Sequence, residues 1–274
     1  MPWLQTAPLW LIGLALLLAL GAADQLGYAA RRLQRRKGGP EPADEGIGYL
    51  LSGALLLLGL LVAFTFGAAS DRFDTRRRLV VEEANAIGTT YLRIQALDDA
   101  PKTALSQLMV QYARERRSWS EAGEDRVRLA QIQAVTDELQ HKIWAVTLAD
   151  VRANPTATVN PSLLQTTNEM FDLAASRRAA ADAHIPISIV RVMLLYALIA
   201  AAMIGYVMAK GTQQLAVSLA LFLVLSLAIC LILDLDRPRT GTIMVSEAPM
   251  DRAIAAIAAG EAAKAAASPP GPAP

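Results

Sequence analysis

One run, Gly46 to Arg93 (GIGYLLSGALLLLGLLVAFTFGAASDRFDTRRRLVVEEANAIGTTYLR), limits what the rest of the chain can become. Its first part, Gly46 to Ser70, carries no charge, and about 20 such residues are enough for a helix to cross a hydrocarbon core of about 30 Å. It then enters a charged stretch with no proline and only scattered glycines, so nothing stops the helix where lipid would end. The sequence predicts one long rod, half in lipid and half in water.

Three more apolar runs supply its membrane partners. At 54% hydrophobic residues and a mean hydropathy of +0.33, the 274-residue chain is more apolar than an ordinary soluble domain. Residues 1–23 are uncharged and hold Trp3 and Trp10 as interfacial anchors. A cleaved export signal would need positive charge before the apolar stretch, so this is read as a first span. A basic loop, 24–45, follows, with Arg31, Arg32, Arg35, Arg36 and Lys37 ahead of the turn-forming Gly38, Gly39, Pro40 and Pro42. The second span is 46–70. Pro186 marks a return to the membrane, where 185–209 and 211–233 form a helical hairpin across the short link at Lys210. Segment 234–274 opens with DLDRPRTG; its tail from Ala253 onward is Ala-rich and ends in SPPGPAP, and this tail is not expected to bury a core and is expected to be disordered at the end. The fold class is therefore an all-α membrane protein: four transmembrane helices, two before and two after, flank an extramembrane antiparallel helical bundle at 71–184 that is continuous with the second span.

Within that bundle the apolar positions keep helical spacing. Val80, Ala84, Ile87, Tyr91 and Ile94 form one seam, and Leu105, Leu108, Tyr112 and Trp119 a second. Leu129, Ile132, Thr136, Leu139, Ile143 and Val146 form a third, and Leu164, Thr167, Phe171 and Ala174 a fourth. Breaks are expected at Asp98 to Pro101, at Ser120 to Asp125, and at Asn154 to Pro155, with Asn160 capping a helix that has Pro161 in its first turn. Between Asp71 and His184 there are 15 Lys and Arg against 16 Asp and Glu. With a net charge of +1 overall, the chain offers no basic platform for nucleic acid. A single cysteine, Cys230, excludes an intrachain disulfide or a cysteine metal cluster, and His141 and His184 fit no metal-ligand spacing. No nucleophile with a base at catalytic spacing and no phosphate-binding loop is present. Neither an enzyme nor a cofactor is expected.

The orientation rule divides the flanking charges. The cluster from Arg31 to Lys37, with Lys210, lies on one face; Arg72, Arg76 to Arg78, Arg177, Arg178, Arg191, Arg237 and Arg239 lie on the other. If the first helix dominates, the bundle is outside the cell; if total charge dominates, it is cytoplasmic.

Candidate functional residues follow from the long rod. Phe64, Thr65, Phe66, Gly67 and Ser70 lie where the second span leaves the membrane. If copies of this helix ring an axis, Phe64 or Phe66 makes a hydrophobic constriction and Thr65 offers a hydroxyl; the other reading is plain lipid or helix packing. Arg72, Arg76, Arg77 and Arg78 either concentrate anions at a pore mouth or anchor in headgroups. Glu82, Glu83 and Asn85, with Asn168, Glu169 and Asp172, either face one another across the bundle or cap and solvate it. In the first arrangement Glu82, Glu83 and Glu169 are the candidates for a hard cation such as calcium.

VVEEANAIGTTYLR (Val80 to Arg93) after LLVAFTFGAASDRFDTRR, NEMFDLAASRRAA (Asn168 to Ala180) and ILDLDRPRTGTI (Ile232 to Ile243) resemble the bacterial bestrophin-like membrane family over nearly the whole chain. The resemblance implies a pentameric ion channel of the bacterial inner membrane, with the helix from Gly46 to Arg93 lining the pore and Phe64 and Phe66 at its constriction. It also marks Glu82, Glu83, Asn85, Asn168, Glu169, Asp234, Asp236 and Arg237 as family-motif polar residues. Two functions are carried forward. One is a homo-oligomeric channel in the lipid bilayer, passing inorganic ions and leaning to anions; the other is a membrane-anchored scaffold or sensor whose bundle binds a partner.

Overall fold

The structure is a computed structural model and describes residues 7–37, 44–207 and 212–267. The turn residues Gly38, Gly39, Pro40 and Pro42, the link residue Lys210, Trp3 and the SPPGPAP end lie outside them. Among the described residues there are eight helices and no strand. They are α1 (Leu9–Arg36), α2 (Asp44–Ile94), α3 (Asp99–Glu121), α4 (Arg126–Ala153), α5 (Asn160–Asp182), α6 (Ile187–Val207), α7 (Thr212–Leu235) and α8 (Ala248–Ala267). Windows long and apolar enough to cross a membrane occur in Leu9–Arg36, Gly46–Ile94, Asn160–Val207 and Ala216–Leu235. The chain divides into two compact units, with the boundary in α2 between Phe73 and Asp74.

The first unit gathers α1, the first half of α2, α6 and α7 around Leu16, Leu20, Leu58, Met193, Ala197, Phe222 and Ile229. Its closest packing is α1 against α6, and glycine makes it possible. A Cβ on Gly27 would lie 1.9 Å from the carbonyl oxygen of Ala202, and one on Gly205 would lie 1.8 Å from that of Asp24. Small residues bring helix backbones together where lipid removes the hydrophobic drive between helices. The run from Arg31 to Arg36, placed by sequence in a loop, is the last stretch of α1. No proline or glycine pair interrupts the helix before Gly38. Arg31 is buried and donates to the carbonyls of Tyr206 (2.9 Å) and Val207 (2.5 Å), satisfying the C-terminal end of α6.

The second unit is a helical bundle of the outer half of α2 with α3, α4, α5 and α8. Its core holds Ile87, Ile94, Leu105, Met109, Tyr112, Ile143, Leu163 and Met170, and each large aliphatic side chain removed from water contributes about 1.5–3 kcal/mol. The Tyr112 and Phe171 rings meet edge to face at 6.2 Å. Burial pushes the Tyr112 phenol well above its ordinary value. The turn between α3 and α4 uses Gly123 at φ +57°, and Asp125 caps α4 by accepting from the N–H groups of Val127 and Arg128.

Three local expectations change. The fourth seam changes at two of its four positions: Thr167 and Ala174 are buried as expected, but Leu163 and Met170 are fully buried in place of Leu164 and Phe171, which are half-buried. Asn160 does not cap α5; its side-chain amide donates to the carbonyl of Asn154 at 2.7 Å and closes the preceding turn instead. The Ala-rich segment from Ala253 is helical through Ala267, and α8 contributes Met250 and Ile257 to the core of the second unit. Met250, Ala253, Ile254 and Ile257 repeat at helical spacing, which gives an alanine-rich helix an apolar face to bury.

Candidate functional site

In the first unit, α2 is the least covered of the apolar helices. Only 11% of its apolar window is buried, against 33% in the last two spans. Tyr49, Leu56, Leu60 and Phe64 are all exposed, Phe64 by 69%. Their spacing of seven, four and four keeps them on one side of a 3.6-residue helix. Phe66 is 41% exposed, and Gly67 and Ser70 are half-buried. Thr65 turns inward: it is buried, and its hydroxyl donates to the carbonyl of Leu61 at 2.7 Å. In the second unit the same helix leaves Arg77, Arg78, Val81, Glu82, Asn85 and Leu92 exposed.

The arginines expected together at a mouth are separated. Arg76 is buried and donates from Nε to the carbonyl of Ala180 at 3.0 Å and from Nη2 to that of Ala183 at 2.7 Å, closing the end of α5. Arg72 is half-buried, and Arg78 pairs with Glu82 one turn on at 3.7 Å.

The motif carboxylates also part. Glu83 is fully buried, accepting from Arg116 Nε on one oxygen and from Arg177 Nη1 at 2.8 Å on the other. Arg177 reaches on to Glu247. Glu82, Asn85, Asn168, Glu169 and Asp172 are exposed. Glu83 is thus committed to guanidinium groups and does not face Glu169, and no group of three metal-ligating side chains occurs among the described residues. Around this chain Trp119 is flanked by guanidinium groups, with Arg116 at 5.6 Å, Arg177 at 5.5 Å and Arg239 at 4.3 Å from its ring centroid. Burial raises the pKa of the Glu247 carboxyl, and Arg177 opposes the rise.

The DLDRPRTG run is a polar knot at the end of α7. Asp234 is buried and accepts from the Thr242 N–H at 2.7 Å, the Thr242 hydroxyl and the Ile243 N–H. A Cβ on Gly241 would lie 2.5 Å from Asp234 Oδ1, so the turn needs glycine. Asp236 accepts from the Ile185 N–H at 3.0 Å, and Arg237 donates to the carbonyl of Ala7 at 2.8 Å.

Sequence reasoning missed Arg116, Trp119, Arg177, Arg239 and Glu247 as a cluster. The signal was legible in part. Glu83 falls between Val80 and Ile87 on one seam, Arg116 between Tyr112 and Trp119 on another, and Arg177 between Ala174 and Ala181 on a third. A charge at a seam position requires a buried partner.

A family model described as a Bestrophin-like domain matches residues 16–250. Among curated proteins none matches the sequence. Similar solved structures include three crystal structures of a bacterial bestrophin homolog from Klebsiella pneumoniae. One was phased on zinc and superposes with a TM-score of 0.67 at 11% identity, covering 89% of this chain and 95% of that one. Two carry single substitutions. The first gives a TM-score of 0.69 at 11% identity, covering 88% of this chain and 96% of that one; the second gives 0.65 at 13%, covering 89% and 95%.

Proposed function

Since the chain belongs to the Bestrophin-like domain family, we propose that it assembles with copies of itself, as a pentamer, and passes ions along a path lined by α2. The path lies in the bacterial inner membrane and leans to anions. The observation that carries the reading is the bare side of α2 at Tyr49, Leu56, Leu60 and Phe64 in a helix whose apolar window is 11% buried. A membrane helix that its own chain leaves so uncovered meets either lipid or neighbouring copies. With Phe64 on that side, a ring of copies makes an apolar constriction that gates by excluding water. The exposed Arg77 further along the helix favours anions in its approach, whereas Arg78 is offset by Glu82.

Purified chain reconstituted in liposomes is expected to carry chloride flux exceeding sodium flux, and Phe64→Ala is expected to raise it. Particle images in detergent are expected to show a five-fold ring. A ring without flux would end the channel reading and leave the scaffold one, in which the bundle at 71–184 binds a partner; sodium flux above chloride would reverse the selectivity alone.

A further inference from the structure

We propose that the helical bundle carries a binding pocket for a small organic carboxylate, with Arg239 taking its charged end. The pocket lies wholly within the second unit and has a volume of about 540 Å³, within the range of small-molecule sites and too large for a bare ion. Apolar walls come from Val80, Trp119, Ala181, Pro238, Met244 and Val245.

Among the described residues that line the pocket, Glu247 Oε2 is a buried acceptor without a partner, and Arg239 is the cation left incomplete. Its side chain is 7% exposed, and a guanidinium has five N–H donors. Among the described residues it makes no hydrogen bond: Glu124 and Asp182 approach only to 3.8 Å, and its buried Nε has no partner. Buried polar groups are almost always hydrogen-bonded, and an exception points to a missing partner. Those two carboxylates are 29% and 69% exposed, so water screens them, and their long contacts neutralise little.

The position of the guanidinium suits a planar acceptor. Its Cζ lies over the Trp119 ring, 4.3 Å from the centroid, which holds the cation in place, and a guanidinium presents its donors as a planar fork from which a carboxylate accepts two side by side. The neighbouring guanidinium groups are already engaged. Around the pocket four arginines are at least nine-tenths buried, Arg76, Arg116, Arg177 and Arg239. Arg76 is taken up by the carbonyls of Ala180 and Ala183, and Arg116 and Arg177 by Glu83 and Glu247, so of these four guanidinium groups Arg239 is the one left without a hydrogen bond among the described residues. A carboxylate with an apolar body supplies the missing acceptor to Arg239 and lays its hydrocarbon on Met244 and Val245. The inference does not depend on ion conduction, because every residue in it belongs to the bundle.

The test is calorimetric titration of the full-length chain in detergent with benzoate, butyrate and acetate, and with benzamide as the uncharged partner of benzoate. Saturable heat from benzoate at millimolar or lower concentration is expected. Benzamide should bind more weakly by about 10- to 100-fold, the worth of a charge-assisted hydrogen bond. Acetate, lacking an apolar body, should be weaker than benzoate. Arg239→Gln should lower benzoate affinity by a similar factor and leave benzamide unchanged. Equal binding of benzoate and benzamide overturns the proposal without any variant, and so does the absence of saturable heat from all three carboxylates. Full benzoate affinity in a folded Arg239→Gln chain overturns the role of Arg239.

Discussion

The two units solve the same packing problem with opposite materials. In the first, helices meet through absences: Gly27 and Gly205 have no side chain where α1 and α6 touch. Most of its polar contacts are at helix ends, in Arg31 on α6 and in the knot at Asp234. In the second, fully charged side chains sit at the centre, with Glu83 between Arg116 and Arg177. The difference follows from the solvent around each. Lipid offers little hydrophobic gain for bringing helices together, so close backbone contact has to hold them. Water drives the bundle together with enough surplus to bury an ion network and to hold Glu83 between two guanidinium groups.

That contrast breaks most sharply at Glu83. Glu83→Ala leaves Arg116 and Arg177 buried without their shared carboxylate, which costs about 3–5 kcal/mol. Thermal unfolding followed by circular dichroism should show the bundle melting earlier, and an unchanged melting temperature would mean that the network is not a keystone. The corresponding change in the first unit is Gly205→Ala. Its added carbon needs space now held by the carbonyl of Asp24, so α1 and α6 must separate at a cost of about 1–3 kcal/mol or more. Resistance to unfolding in a denaturing detergent is the readout, and the bundle should stay intact.

Acidity separates the units on a finer scale. Burial holds the pKa of Glu247 above its ordinary value of 4.5. The folded bundle therefore takes up this proton more readily than the unfolded chain does. The group's contribution to stability is fully present below about pH 4.5 and is lost as pH rises through the higher folded value. Denaturation series between acidic and neutral pH should show this slope in the parent chain and lose it in Glu247→Gln. The smallest expected effect is Phe64→Ala, which should change stability by less than about 0.5 kcal/mol, because that side chain is 69% exposed. Its consequence should appear in ion flux instead.

The course of α2 was legible because two kinds of signal agreed: an uncharged run, and then a seam from Val80 to Ile94 without a breaker between them. The breaks before α3 and α4 were legible for a similar reason, since Asp99 with Pro101, and Gly123 with Asp125, act locally. What escaped was whatever depends on distant partners. Leu163 and Leu164 are adjacent, and only the neighbours of α5 decide which faces inward. Glu82 and Glu83 have the same chemistry, yet one meets solvent and the other two arginines far along the chain. Arg239 was legible as a flanking charge, but not as a group lying over the Trp119 ring, because no local pattern ties the two together.

The C-terminal helix has a consequence for biosynthesis. Tyr91 on α2 donates to Glu261 on α8 across 170 positions of sequence, and Met250 and Ile257 complete the bundle core. A ribosome adding about 5–20 residues per second takes roughly 10 to 30 s to travel that distance. In the later part of that interval, once the chain has passed Asp182 and α3 to α5 are made, the nascent bundle displays the apolar side that α8 will later cover, a standing invitation to chaperones and to misassembly. Truncations ahead of Met250 should therefore aggregate during synthesis, even though every span destined for lipid has already been made.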